Sequence, residues 1–209
     1  MSHPADLVHV VDDDAAVRAA LRWLLEGEGF RVQDYASGEA FMAAVADEAP
    51  ACALVDLRMP GMSGLELQEA LARRRVRVPL VFVTAHGDVP LAVMAMRRGA
   101  VDFVEKPFSD DYLLDAVRRA LGRHSPVAGA GDDPAQLRAR AASLSARERE
   151  VLTSVVDGKS SKEIANDLGI AVKTVEAHRA RIMAKLRAPT LAGLVRVVVA
   201  HGLLDPSLR

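Results

Sequence analysis

Across the first 124 residues short apolar runs alternate with amphipathic stretches. That alternation constrains the fold more than any other feature, because such runs bury best as βαβ units in a parallel sheet with helices on both faces. The runs place strands near Leu7–Val11, Phe30–Tyr35, Cys52–Asp56, Leu80–Thr84 and Val101–Glu105. Helical patterns lie between and after them, near Ala15–Glu28, Gly38–Glu48, Gly64–Arg74, Pro90–Arg98 and Ser109–Leu121. Ligands of open parallel sheets collect outside the carboxyl ends of the strands, and Asp12, Asp13, Asp56, Thr84 and Lys106 all fall at such ends.

Those residue types suit one chemistry. Clustered carboxylates repel one another, and a hard divalent cation such as Mg²⁺ relieves the repulsion while keeping waters for an incoming phosphate. Lys106 brings a point charge and Thr84 a hydroxyl, the donors an acyl phosphate needs opposite its metal. Asp56 is then the nucleophile and phosphate acceptor. Asp14 is read more simply, as the cap of the first helix. Arg73, Arg74 and Arg75 complement a helix C-terminus. Cys52, the single cysteine, reads as a small apolar residue of a buried strand, with no disulfide or cysteine zinc site possible within the chain.

Charge divides the chain. Residues 1–124 carry a net −5, residues 125–143 are neutral and residues 144–209 carry +4, so the overall −1 hides an acidic front and a basic back. The basic part is an electrostatic footprint for nucleic acid. No apolar run approaches the roughly 18 residues of a membrane span, and the N-terminus lacks the regions of a signal peptide, so a cytoplasmic protein with no membrane partner is expected.

The stretch 124–134 is rich in Gly, Ala and Pro and reads as a linker, and Asp133-Pro134 as the start of a short helix through about Ala142. Two capping boxes follow, Ser145-Ala-Arg-Glu148 and Ser160-Ser-Lys-Glu163, which place helices at Ala146–Val156 and Ser161–Leu168. Gly169-Ile170 turns into a third helix, Val172–Leu186, whose Val175, His178, Ile182 and Leu186 share one face. His178 is therefore read as a packed, hydrogen-bonded core histidine, not a metal ligand. A fourth helix follows Pro189-Thr190 and ends near His201-Gly202. The third helix leaves Lys173, Thr174, Glu176, Ala177, Ala180, Arg181, Ala184 and Lys185 facing outward as a reading surface.

In this order the motifs identify residues 1–124 as similar to a response-regulator receiver domain and residues 144–209 as similar to the DNA-binding domain of the LuxR/NarL group. The stretch HGDVPLAVMAMRRGAVDFVEKPF (86–108) resembles the FixJ branch in particular. The resemblance implies a CheY-like, doubly wound five-stranded α/β domain, a partly helical linker over 125–143, and a small all-α four-helix helix-turn-helix domain. It implies that Asp13, Asp56 and the Arg58 carbonyl bind Mg²⁺ with Asp12 acting through water, and that Thr84 and Lys106 hold the phosphoryl group. Lys106-Pro107 would be a cis peptide, Phe103 a switching aromatic, and His86 a neighbour of the phosphoryl group. On the reading helix, Glu176, Ala177 and Ala180 would meet base edges. Lys173, Thr174, Arg181 and Lys185 would hold phosphates. One departure is Ala171, which stands where this family usually has a Ser or Thr cap.

The function this implies is transcriptional regulation switched by phosphorylation. A cognate histidine kinase supplies the phosphoryl group to Asp56, a homodimer forms through a face containing Val93 and Arg97, and the dimer binds double-stranded DNA, with RNA polymerase a further partner. An enzyme turning over external phosphoesters is disfavoured, since Arg58 stands where phosphatases that use an aspartyl phosphate typically place a second Asp as acid and base. The competing class is a receiver-like module that dimerises and binds DNA independently of phosphate.

Overall fold

The computed structural model describes residues 7–45, 52–85, 89–122, 134–188 and 190–203. His86, the 46–48 end expected for the second helix, the 124–133 linker stretch with Asp133, and Pro189 lie outside the described residues. Contacts gather the chain into two units, Met1–His86 with Arg98–Ser125, and Gly87–Arg97 with Pro126–Arg209.

The first unit contains β1 (Leu7–Val11), α1 (Ala15–Gly27), β2 (Arg31–Tyr35), α2 (Gly38–Ala44), β3 (Cys52–Val55), α3 (Gly64–Arg73), β4 (Leu80–Thr84), β5 (Asp102–Glu105) and α5 (Asp110–Ala120), while α4 (Val89–Arg97) groups with the second unit. All five strands pair in parallel in the order β2-β1-β3-β4-β5. β3 and β4 are buried at every position, the signature of a central strand covered on both faces. β2 is an edge strand, and its more exposed Arg-Val-Gln-Asp-Tyr fits that place.

Side-chain alternation sorts the core into two layers. Val8, Val10, Cys52, Leu54, Val81, Val83 and Val104 pack with Leu21 and Leu25 of α1 and with Leu113, Leu114 and Val117 of α5. Spacings of four along α1, and of three and four along α5, set the buried stripe of each helix. On the opposite face His9 lies against Phe41 of α2, with ring centroids 5.4 Å apart, and against Tyr35, at 5.7 Å. Phe41 is fully buried, which contributes about 2–3 kcal/mol by removing its ring from water. Cys52 is buried in β3 as expected, and burial pushes its thiol pKa up to about 12.

Caps fix the helix starts. Asp14 accepts from the Ala16 amide at 2.8 Å, Ser37 and Ser109 cap α2 and α5, and Ser63 forms a capping box with Glu66 at α3. The last of these was not among the capping boxes expected from sequence. Arg74 donates to the Met42 carbonyl at 3.0 Å, so part of the arginine run ties α3 to the end of α2.

In the second unit α6 (Pro134–Ala142), α7 (Ala146–Val156), α8 (Ser161–Leu168), α9 (Val172–Leu186) and α10 (Leu191–Ala200) follow the expected bounds closely. Val151, Leu152, Val155, Ile164, Val175, Ile182, Leu186, Leu194 and Val195 form its core, and Leu137 of α6 is also buried. Both expected capping boxes are present. Gly169 ends α8 at φ 63°, a left-handed conformation that suits glycine and turns the chain toward α9.

His9 supplies a stability prediction. It is 5 % exposed, its Nδ1 has no hydrogen-bond partner among the described residues, and burial lowers its pKa below the ordinary 6.5. The unfolded chain therefore takes up a proton at higher pH than the folded one. The stability supplied by neutral His9 is complete above pH 6.5 and is lost as pH falls from there through the folded pKa. Thermal unfolding of His9→Phe should accordingly show a flatter pH dependence than wild type between about pH 7 and 5.

Candidate phosphoacceptor site and nucleic-acid interface

Parallel pairing brings the ends of four strands to one rim. The Asp56 amide donates to the Val11 carbonyl at 2.7 Å, which sets the start of the β3 exit loop against the end of β1. The Lys106 amide donates to the Thr84 carbonyl at 2.8 Å and does the same for β5 and β4. Lys106 then reaches across the rim. Its Nζ lies 3.0 Å from Asp12 Oδ2 and 3.8 Å from Asp56 Oδ1. The other Asp56 oxygen, Oδ2, accepts from the Arg58 amide at 2.7 Å, and Asp12 Oδ1 accepts from the Asp14 amide at 2.9 Å. Thr84 is buried at the β4 end, and the Lys106–Pro107 peptide is cis.

Burial raises the Asp56 pKa above its ordinary value. The Arg58 amide opposes that shift, and among the nearby charges Asp12 and Asp13 raise it while Lys106 lowers it. The pocket thus has more negative charge than its lysine neutralises. Among the described residues no three acidic, histidine or cysteine side chains converge to enclose a metal by themselves. That donor set still fits Mg²⁺, which is commonly held by one or two carboxylates and otherwise by water and phosphate oxygens. Asp13, Asp56 and the Arg58 carbonyl are the residues that could hold it.

In the second unit α8, the Gly169 turn and α9 form a helix-turn-helix. Arg147 donates to the Leu168 carbonyl at 2.7 Å and Arg179 to Ser161 Oγ at 2.6 Å, which brace the turn and the first half of α9. Val175, Ile182 and Leu186 are buried, whereas Lys173, Thr174, Glu176, Ala177, Ala180, Arg181 and Lys185 are exposed. His178, expected as a packed, hydrogen-bonded core histidine, is only half-buried, and its buried Nδ1 has no hydrogen-bond partner among the described residues. Ala171 occupies the N-cap of α9 with no side-chain hydrogen bond.

Residues 8–118 match the response regulator receiver domain, and residues 142–198 match the bacterial regulatory proteins of the luxR family. FixJ of Rhizobium meliloti (strain 1021) is 47 % identical over 196 residues, 93 % of this chain and 96 % of that protein. The chain is a FixJ-like response regulator. The transcriptional regulatory protein TdiR of Thauera aromatica is 42 % identical across 93 % of this chain and 86 % of its own length. Among solved structures, full-length FixJ from B. japonicum is 40 % identical with a TM-score of 0.53, covering 96 % of this chain and 98 % of that one. StyR is 43 % identical with a TM-score of 0.53, covering 93 % and 98 %. This regulator therefore joins a receiver to a LuxR-type DNA-binding domain, and its relatives are transcriptional regulators.

Of the residues expected at the regulator's phosphoacceptor site, Asp12, Asp56 and Lys106 lie in direct contact or near it, while Asp13 acts on Asp56 through its charge. Phe103 is buried in β5. Val93 is buried and Arg97 pairs with Asp157 at 3.2 Å within the second unit. Gly64 escaped sequence reasoning. A Cβ there would stand 2.5 Å from the Asp56 carbonyl oxygen and 2.9 Å from the Phe82 ring. Only a side chain of hydrogen lets α3 start so close beneath the Asp56 loop. The available signal was a glycine directly after the Ser63 cap, where a better helix former would ordinarily serve.

Two predictions follow from these local geometries. Gly64→Ala should cost about 1–3 kcal/mol in stability through overpacking and slow phosphoryl uptake by displacing the Asp56 loop. Thermal unfolding and intact-mass labelling with acetyl phosphate measure the two effects. Ala171→Ser should do the opposite in the second unit, adding the missing cap and stabilising it by about 1 kcal/mol, read as a raised calorimetric transition for that unit.

Proposed function

We propose that this regulator is switched by phosphorylation of Asp56. The arrangement that carries the reading is the single lysine, Lys106, facing both Asp12 and Asp56 at the strand-end rim. Asp56 Oδ2 is held by the Arg58 amide, and Oδ1, which faces Lys106, is the oxygen that attacks phosphorus in a phosphohistidine of the kinase. The P–N bond to the imidazole breaks as the P–O bond forms, and the histidine leaves. Lys106 and Thr84 take the phosphoryl oxygens. Asp13, Asp56 and the Arg58 carbonyl would hold Mg²⁺, with Asp12 helping through water, and the ion would supply charge neutralisation at the transferring group. No external substrate is turned over.

The switch passes from Thr84 to Phe103 and biases a two-state surface through which the phosphorylated protein forms a homodimer, with Val93 and Arg97 of α4 on that face once they are released, since here Val93 is buried and Arg97 pairs with Asp157. The receiver spans 1–124, a partly helical linker 125–143 and the DNA-binding domain 144–209. A dimer presents two α9 helices to half-sites about one DNA turn apart. Glu176, Ala177 and Ala180 read base edges, while Lys173, Thr174 and Arg181 hold phosphates. RNA polymerase is a further partner. The regulator acts in the cytoplasm, where its DNA lies, and among the described residues no helix is long and apolar enough to cross a membrane.

Acetyl phosphate and Mg²⁺ should add one phosphoryl mass to the wild type and shift it from monomer to dimer on sizing. Asp56→Asn should abolish both, because the amide lacks the nucleophilic oxygen and weakens the metal site. Wild-type phosphorylation of that variant would overturn the assignment, and equal dimerisation without phosphate would favour a phosphate-independent module.

A further inference from the structure

Lys185 lies on the exposed side of α9, where sequence reasoning expects a phosphate anchor. Its ammonium is already engaged within the second unit. Nζ lies 2.7 Å from Glu148 Oε2 and 3.1 Å from the Ser143 carbonyl oxygen. The same Glu148 oxygen accepts from the Ser145 amide at 2.7 Å and closes the α7 capping box, while Ser145 Oγ accepts from the Glu148 amide at 3.2 Å. Glu148 is only 4 % exposed. One buried carboxylate oxygen thus joins the start of α7 to the last turn of α9, and the lysine adds the end of α6.

The pair completes a brace. Arg179 meets Ser161 of α8 near the middle of α9, leaving the C-terminal turn to be held by the buried Leu186 and by Lys185. Side chains that must meet base edges have to be held to a fraction of an ångström, and a helix fixed at one end and free to pivot at the other does not meet that need. The Lys185 ammonium and the Ser145 amide hold the Glu148 carboxyl down to about 2, so the carboxylate partner stays charged through any physiological pH.

We propose that Lys185 is a positioning residue of the reading helix, acting through Glu148 and the α7 capping box to fix the orientation of α9, and that it is not one of the phosphate anchors. This rests on the DNA-binding reading of α9 but assigns Lys185 a different part in it. The two roles predict opposite behaviour when Glu148 is neutralised. A phosphate anchor freed from Glu148 would bind DNA more tightly with a steeper salt dependence, whereas a positioning residue that loses its partner lets the helix loosen and binding weaken.

The test uses the full chain and a fluorescent random-sequence duplex, with affinity measured across a salt series for Lys173→Met, Lys185→Met, Glu148→Gln and the double variant Glu148→Gln/Lys185→Met. Methionine keeps the aliphatic stem and removes the charge. Lys173→Met should flatten the log–log salt slope by roughly 1. Lys185→Met and Glu148→Gln should each weaken binding roughly tenfold with the wild-type slope retained. The double variant should be no weaker than either single one, since both remove the same interaction. Because removal of both charges leaves neither buried alone, it also keeps the measurement valid if a single variant unfolds. A slope flattened by Lys185→Met as by Lys173→Met, or tighter and steeper binding by Glu148→Gln, would overturn the proposal. A wild type that binds duplex without salt dependence, with α9 intact by circular dichroism, would instead remove the DNA-binding reading and the proposal with it.

Discussion

Everything at the acidic rim depends on the parallel pairing of β1 with β3. Val10 lies opposite Leu54 and Val11 opposite Val55, and the Asp56 amide continues the ladder by donating to Val11. A one-residue slip would turn every side chain of β3 to the other face, mismatching it with the helix layer packed there and separating Asp56 from Asp12. The register is fixed by burial on both sides, because β3 has no solvent face onto which a slip could move apolar residues. Positional accuracy in the site is thus inherited from the hydrophobic core beneath it.

The rim stores an electrostatic imbalance that the core makes possible. Asp12 and Asp56 are nearly buried, at 3 % and 9 % exposed, and water cannot screen them fully. Lys106 bonds to Asp12 and stands off from Asp56, so Asp56, the proposed phosphoacceptor, is the less satisfied of the two carboxylates. A group that is held in place but incompletely neutralised responds strongly to an added cation or phosphoryl group. Close packing adds a second constraint, since Gly64 admits α3 beneath the same loop.

The DNA-binding unit solves a different problem with similar means. A buried apolar stripe on α9 leaves its opposite side free for contact, and polar braces from α7 and α8 limit how that side can turn. Glu148 serves the helix start and the brace with one oxygen, so a local capping motif has acquired a long-range role. The absent cap at Ala171 places more of the burden of holding α9 on these side-chain contacts.

Much of this was written in the sequence. Alternating apolar runs specified a parallel sheet, helical spacing picked out the buried face of α9, and two S-x-x-E boxes fixed the starts of α7 and α8, because these features depend on periodicity and neighbours a few residues apart. The candidate phosphoacceptor residues were legible for a related reason: strand ends in such a sheet share a rim, so polar residues ending apolar runs must meet there. What the sequence left open was which polar groups pair across long separations. Lys106 chooses Asp12 over Asp56 from 94 residues away, Lys185 turns to Glu148 from 37 residues away, and Gly64 is needed because of a carbonyl that only folding brings beneath it. Those choices are set by distances of a few ångströms between elements, and tertiary packing alone fixes such distances.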